Sequence, residues 1–259
     1  MCGIFASIST QGVTLPNAQV KQLLQRRGPD HVKELSRTLS TDKGDLSLHF
    51  LSTVLALRGG HVTPQPFDDP ETGSLLCWNG EAWDIDGAAV DGNDGDTIFR
   101  LLTSFAAQQV PINAVLDVLR SISGPFAFVF FDECQKLLYF GRDRLGRRSL
   151  LLHVDNATGT FQVSSTAGSM EEGWVEVEAD GIYVMSLSQS LEHPYLLACT
   201  ENTNILNGNL YRCPWDTTFS VSRIPVGSTF AVLTLPVGSA YHLSRITEQR
   251  TIRCAYTHK

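Results

Sequence analysis

The chain has 259 residues and a net charge of −7, with 42% hydrophobic and 18% charged residues. That balance belongs to a folded protein with a sizeable core, not to a disordered one. The acidic excess argues against general binding to a phosphate backbone, and no apolar run approaches the roughly 20 residues needed to span a bilayer.

The first stretch, MCGIFASIST, has no basic n-region and only a short apolar run, so a signal peptide is not expected and the protein is expected to be cytoplasmic. It places Cys2 directly behind Met1. Removal of Met1 would leave a thiol and a free α-amine on one carbon, a nucleophile beside its own proton acceptor. Next, TLPNAQVKQLLQRRGPD reads as a short helix with Val20, Leu23 and Leu24 on one face, stopped by Gly28-Pro29.

Runs rich in β-branched and aromatic residues follow: LSLHFLSTVLAL, SLLCWNGEAW, PFAFVFFD, KLLYFGRD, RSLLLHV, TFQVSS and GIYVMSL. Turn residues separate them, the rhythm of mostly antiparallel sheets. Two helices interrupt, in DTIFRLLTSFAAQQ and INAVLDVLRSI. Several runs are apolar on both parities, which calls for sheets covered on both faces and hence a layered α+β domain. The pattern fades near residue 188, dividing residues 1–188 from a C-terminal extension, 189–259. The six cysteines and seven histidines are scattered without CxxC or HExxH spacing, so no metal site is expected. Without a secretory signal the thiols are expected to be reduced.

Five further segments stand out: RRGPD (26–30), ALRGG (56–60), WNGE (78–81), GPFAF (124–128) and GRDRLGRRSL (141–150). With Met1-Cys2-Gly3-Ile4, and in this order, they resemble the class II glutamine amidotransferase domain of the asparagine synthetase family. That domain is an N-terminal-nucleophile hydrolase, and the resemblance covers roughly residues 1–188. It implies a four-layer αββα sandwich and release of ammonia from L-glutamine. Cys2 is the implied nucleophile, with its own α-amine as base. Asn79 and Gly80 suit an oxyanion hole, a side-chain amide beside a backbone N–H that can approach closely. By family position Arg58 holds the substrate α-carboxylate with a bidentate guanidinium. Asp94 holds the α-ammonium, with Asp96 as the alternative and Glu81 assisting. No cofactor is implied for glutamine hydrolysis. ATP and Mg²⁺ belong to a synthetase domain supplied elsewhere, the implied ammonia-accepting partner.

Structural readings stand beside these. Asn79-Gly80 is also a common hairpin turn, and Asp94 is also a turn residue. RRGPD and GRDRLG read as scaffolding, with Arg142 and Asp143 as an ion pair or cap in a tight turn. Trp78, Trp83, Phe126, Phe128 and Phe130 read as core.

The chain departs from the family pattern in three places. Arg26 stands where the family has histidine. The segment after Arg58 is short and glycine-rich, which threatens substrate affinity more than chemistry. No SGGxDS phosphate loop occurs, so asparagine synthesis is not expected from this chain alone. These departures keep a second reading open: a catalytically idle amidotransferase fold that senses a ligand or binds a protein.

Overall fold

Why each run takes its place is visible from which faces it must bury. A computed structural model describes residues 1–169, 173–188, 197–198, 210–215, 220–221 and 233–234. In chain order the elements are β1 (Gly3–Ser9), α1 (Ala18–Arg27), β2 (His31–Thr41), β3 (Gly44–Val54), β4 (Phe67–Asp68), β5 (Leu75–Gly80), β6 (Asp84–Ile85) and β7 (Ala88–Ala89). Then come α2 (Asp94–Gln108), α3 (Ile112–Ser121), β8 (Ile122–Ser123), β9 (Phe126–Asp132), β10 (Leu137–Arg142), β11 (Leu151–Asp155), β12 (Thr160–Ser164), β13 (Val175–Glu176) and β14 (Gly181–Ser186). Short strands β15 (Leu197–Ala198), β16 (Leu210–Pro214), β17 (Ser220–Val221) and β18 (Leu233–Thr234) complete the order.

Two antiparallel sheets dominate, ordered β13-β11-β12-β1-β3-β2 and β15-β16-β14-β10-β9-β5-β4. Alternate residues of each strand point to opposite faces, and both faces are apolar. From β1, Ile4, Ala6 and Ile8 face Val129 and Phe131 of β9 and Phe140 of β10 in the core between the sheets. The opposite parity of the second sheet (Phe126, Phe128 and Phe130) packs with Ile98 and Leu102 of α2 and Leu116 and Leu119 of α3. On the outer side of the first sheet, Phe5 and Leu51 meet Val20 and Leu24 of α1. The layers run helix, sheet, sheet, helices: the expected αββα sandwich.

The helices carry local signals that set their ends. Asn17 caps α1 by accepting from the Val20 N–H at 2.8 Å, and Asn93 caps α2 by accepting from the Asp96 N–H at 3.0 Å. One long strand was not legible beforehand. β2 pairs along the whole of β3, from His31↔Val54 to Thr41↔Gly44. Its sequence, HVKELSRTLST, is mostly polar because it is an edge strand with one half-wet face. Lys33, on the same parity as Leu35 and Leu39, leaves the core to bond Asp68 at 2.7 Å.

The boundary expected near residue 188 falls between β14 and β16. β16 pairs with β14 from Gly181↔Pro214 to Met185↔Leu210, and Cys213 and Trp215 are buried in the core under the helices. Met1–Trp215 form one compact unit and Asp216–Lys259 a second, within which β17 pairs with β18.

Candidate active site

The sheet pairing brings the front of β1, the end of β3 and the end of β5 to one edge of the sandwich. Gly3 opposes Thr53 across β1 and β3, so Cys2 comes to lie beside Leu55. The Leu55 N–H donates to Cys2 Sγ at 3.5 Å, and the Leu55 carbonyl lies 3.8 Å from the same sulfur. A Cβ on Gly3 would stand 2.5 Å from Thr53 Oγ1 and 3.1 Å from the Leu24 carbonyl, so only glycine lets β1 enter here.

RRGPD holds this corner from outside. Arg27 Nε donates to the Cys2 carbonyl at 3.2 Å. Asp30 accepts the Ala56 N–H at 2.7 Å through Oδ2 and donates its own N–H to Val54 O at 3.0 Å. The segment after β3 that brackets the sulfur is thereby pinned to the end of α1. Scaffolding was the expected role, and the geometry gives it a target, the backbone around Cys2.

Cys2 and Met1 line a pocket whose other walls come from Val54–Arg58, Asn79–Glu81, Asn93–Asp94 and Arg148. Its free volume is about 50 Å³. All six residues singled out from the sequence (Cys2, Arg58, Asn79, Gly80, Glu81 and Asp94) therefore share one cavity. Asp96 does not line it; it pairs with Arg100 at 2.5 Å on the exposed side of α2.

Asn79 is only 1% exposed, and its Nδ2 is buried without a hydrogen-bond partner. A buried donor left unpaired costs about 1–3 kcal/mol, and this one lies in the pocket wall with no protein acceptor. Gly80 continues the wall. The Glu81 N–H donates to Pro125 O at 2.9 Å, so by alternation the N–H groups of Gly80 and Trp78 face the other edge of β5. There Gln65 Oε1 takes the Trp78 N–H at 2.8 Å. A Cβ at Gly80 would approach Phe126 Cβ and Pro125 O to 2.6 Å, so glycine is required by packing against β9.

Asp94, 4% exposed in the first turn of α2, accepts from Trp78 Nε1 at 2.9 Å and from the Ala82 N–H at 2.8 Å, both through Oδ2. Arg58 reaches across to the same loop, donating from Nη1 to Ala82 O at 2.6 Å and from Nη2 to Val90 O. Its terminal nitrogens thus already bind backbone. Glu81 lies 3.7 Å from Arg148 Nη2.

Burial pushes the Cys2 thiol above its ordinary value, with the Leu55 N–H, the N-terminal charge and Arg148 opposing and Asp94 reinforcing. The Met1 α-amine is held below its ordinary value, first by burial, then by Arg27 and Arg148. With Met1 attached, the nitrogen of Cys2 is a peptide amide and cannot accept a proton.

GRDRLG proves structural. Asp143, 3% exposed, accepts the Phe126 N–H and the Arg147 N–H at 3.1 Å each, and Arg147 Nε at 2.9 Å. Of the expected ion pair or cap, the pair does not form, since Arg142 pairs with Glu176 at 2.6 Å and Asp143 with Arg147, while Asp143 caps the turn by accepting the Leu145 N–H at 3.1 Å. Trp83 is not core: it is 53% exposed beneath the Arg147 guanidinium, 5.4 Å from its ring centre. Gln65 and Thr63 line the pocket but carried no sequence signal that set them apart, and Arg148 lines it from within GRDRLGRRSL, which reads as scaffolding. Among the described residues no group of three or more His, Cys, Asp or Glu side chains converges on a metal position, and no helix is long and apolar enough to cross a membrane.

Comparison with known proteins adds three findings. The model of a family described as the glutamine amidotransferase domain matches residues 1–209. The chain is 33% identical over 196 residues to asparagine synthetase domain-containing protein 1 of Bos taurus, covering 73% of this chain and 29% of that protein. The protein of the same name from Gallus gallus is 33% identical over 217 residues, covering 78% and 33%. The chain thus spans about a third or less of these relatives' length. Among solved structures, glutamine phosphoribosylpyrophosphate amidotransferase from B. subtilis superposes with a TM-score of 0.51 at 16% identity, over 70% of this chain and 46% of that one. This last likeness supports the fold.

Proposed function

The chain belongs to the glutamine amidotransferase domain family, and from that premise we propose that it hydrolyses the side-chain amide of L-glutamine in the cytoplasm, with Cys2 as nucleophile once Met1 has been removed. The observation that carries this reading is Asn79 Nδ2, a buried donor without a partner in the wall of the pocket that holds Cys2.

The steps follow from the groups present. The α-amine of Cys2, freed by loss of Met1, takes the thiol proton through a water. The sulfur attacks the glutamine Cδ, and the C=O π pair moves to oxygen. Asn79 Nδ2–H and the Gly80 N–H stabilise that oxyanion, where fixed donors contribute most. Collapse returns the proton from the α-ammonium to the leaving nitrogen, breaks the C–N bond and releases ammonia. A water then attacks the thioester, giving glutamate and restoring the thiol. Asp94 Oδ1, the oxygen not used by Trp78 and Ala82, receives the substrate ammonium with help from Glu81, and Arg58 faces the α-carboxylate. The ammonia serves a separate synthetase domain, with asparagine formation as the family context. ATP and Mg²⁺ are needed only there.

One observation favours the idle-fold reading. Both Arg58 terminal nitrogens already donate to backbone carbonyls, which leaves fewer N–H groups for a carboxylate. Intact-mass measurement followed by a glutamate assay decides between the two. Met1-free protein that releases glutamate supports the hydrolase; Met1-free protein that releases none supports the idle fold.

A further inference from the structure

Two guanidinium groups flank Cys2, and each keeps one nitrogen buried without a partner: Arg27 Nη2 and Arg148 Nε. Their tasks differ. Arg27 is committed to backbone, since its Nε donates to the Cys2 carbonyl at 3.2 Å. Arg148 comes from the segment after the GRD turn, with its side chain only 18% exposed, and it lines the pocket with Cys2 and Asn79. Its ion pair with Glu81 is loose, at 3.7 Å. A cation only 18% exposed, with its counter-charge no nearer than 3.7 Å, is screened by water less than a surface charge would be.

Resting on the proposed glutaminase reading, we propose that Arg148 is a positioning residue of this centre: its charge stabilises the Cys2 sulfur as an anion and disfavours a proton on the neighbouring α-amine. The proton transfer from sulfur to amine creates a thiolate and an ammonium. Arg148 assists the first product and opposes the second, and the second remains favourable only while the thiolate stands beside it. The other charges around Cys2 are Asp94 from α2, Glu81 from the end of β5, Arg58 from the loop after β3, and Arg27 and Asp30 from the end of α1. Asp94 works against the thiolate, as does burial, while Arg148 and the N-terminal charge work for it. Arg148 is the cation of this set without a short hydrogen bond to backbone, so it is the one whose removal changes the field with the least change in scaffolding.

The test is the pH dependence of Cys2 alkylation by iodoacetamide on Met1-free protein. The new S–C bond forms from the thiolate as iodide leaves, and the site is read by peptide mass spectrometry. Cys134, exposed and outside the pocket, is the internal reference. In Arg148→Gln the midpoint for Cys2 should rise by about half a unit to one unit, slowing alkylation near pH 7 about three- to ten-fold. The Cys134 rate should not change, and Arg148→Lys should restore the midpoint. If Arg148→Gln lowers the melting temperature, Arg148→Met, which keeps an apolar stem, supplies the same comparison. An unmoved midpoint in the neutral variants, or Arg148→Lys behaving like Arg148→Gln, would overturn the proposal. The alkylation needs no glutamine turnover, so failure of the glutaminase reading shows separately, as absent glutamate release with a normal alkylation profile.

Discussion

The indole Nε1 of Trp78 donates to Asp94 Oδ2 at 2.9 Å, tying the end of β5 to the first turn of α2. The ring itself stacks on Phe126, 5.2 Å between centroids. A residue that reads as core is therefore also the support of a carboxylate in the pocket. Trp78→Phe keeps most of the stacking and removes the donor. Loss of a hydrogen bond to a charged group costs about 1.5–3 kcal/mol, so urea unfolding should show destabilisation of that order. If Asp94 orients the substrate ammonium, KM for glutamine should rise more than kcat falls. An unchanged KM would separate Trp78 from substrate binding.

Asn79→Ala tests the oxyanion reading. Its Nδ2 has no structural partner to lose, so the fold should tolerate the change, while kcat falls by about 10²-fold or more with a smaller effect on KM. Steady-state kinetics beside a thermal melt check this. Asn79 sits within β5, opposite Ala127 of β9, so a variant that unfolds, or one that stays folded with kcat unchanged, would make it a structural residue of that strand.

Much of this was legible in the sequence, and the exceptions share a physical cause. The apolar runs at β9, β10 and β14 announced doubly covered strands, and the runs that form α1, α2 and α3 read as helices. β2 was hidden because an edge strand satisfies half its residues with water and ion pairs, as Lys33 does with Asp68. The six pocket residues could be named because short motifs carry them. Gln65 could not, because it reaches the pocket through a tertiary contact that no spacing encodes, and Arg148, although inside GRDRLGRRSL, sits in a segment that reads as scaffolding.

The thiols should divide by burial and position. Cys77 is fully buried, and burial pushes its thiol up to about 12. A glutamine-like electrophile should label Cys2 and leave Cys77 and Cys134 unmodified, as read by peptide mass spectrometry. Label on Cys134 with Cys2 untouched would contradict the assignment of the nucleophile.

Cys77 also sets part of the alkaline limit of stability. Its folded value lies above the unfolded one of about 8.5, so its contribution is complete below that pH. It declines as pH rises towards 12, by about 1.4 kcal/mol per unit. Burial also raises Cys2, Cys213 and Tyr139, which add to the slope. Cys77→Ala should therefore flatten the fall in urea stability between pH 9 and 11 (about the range in which only the unfolded thiol ionises). An unchanged slope would mean that Cys77 is not shielded in the native state.

Glutamine hydrolysis by Cys2, exposed by loss of Met1, can be measured directly. The direct measurement is glutamate and ammonia release by protein whose intact mass shows the methionine gone, beside Cys2→Ala and a preparation that retains Met1. The Met1-free protein should give equal amounts of glutamate and ammonia, and the other two none, all three melting cooperatively. No glutamate from folded, Met1-free protein, or equal release from Cys2→Ala, would contradict hydrolysis by Cys2.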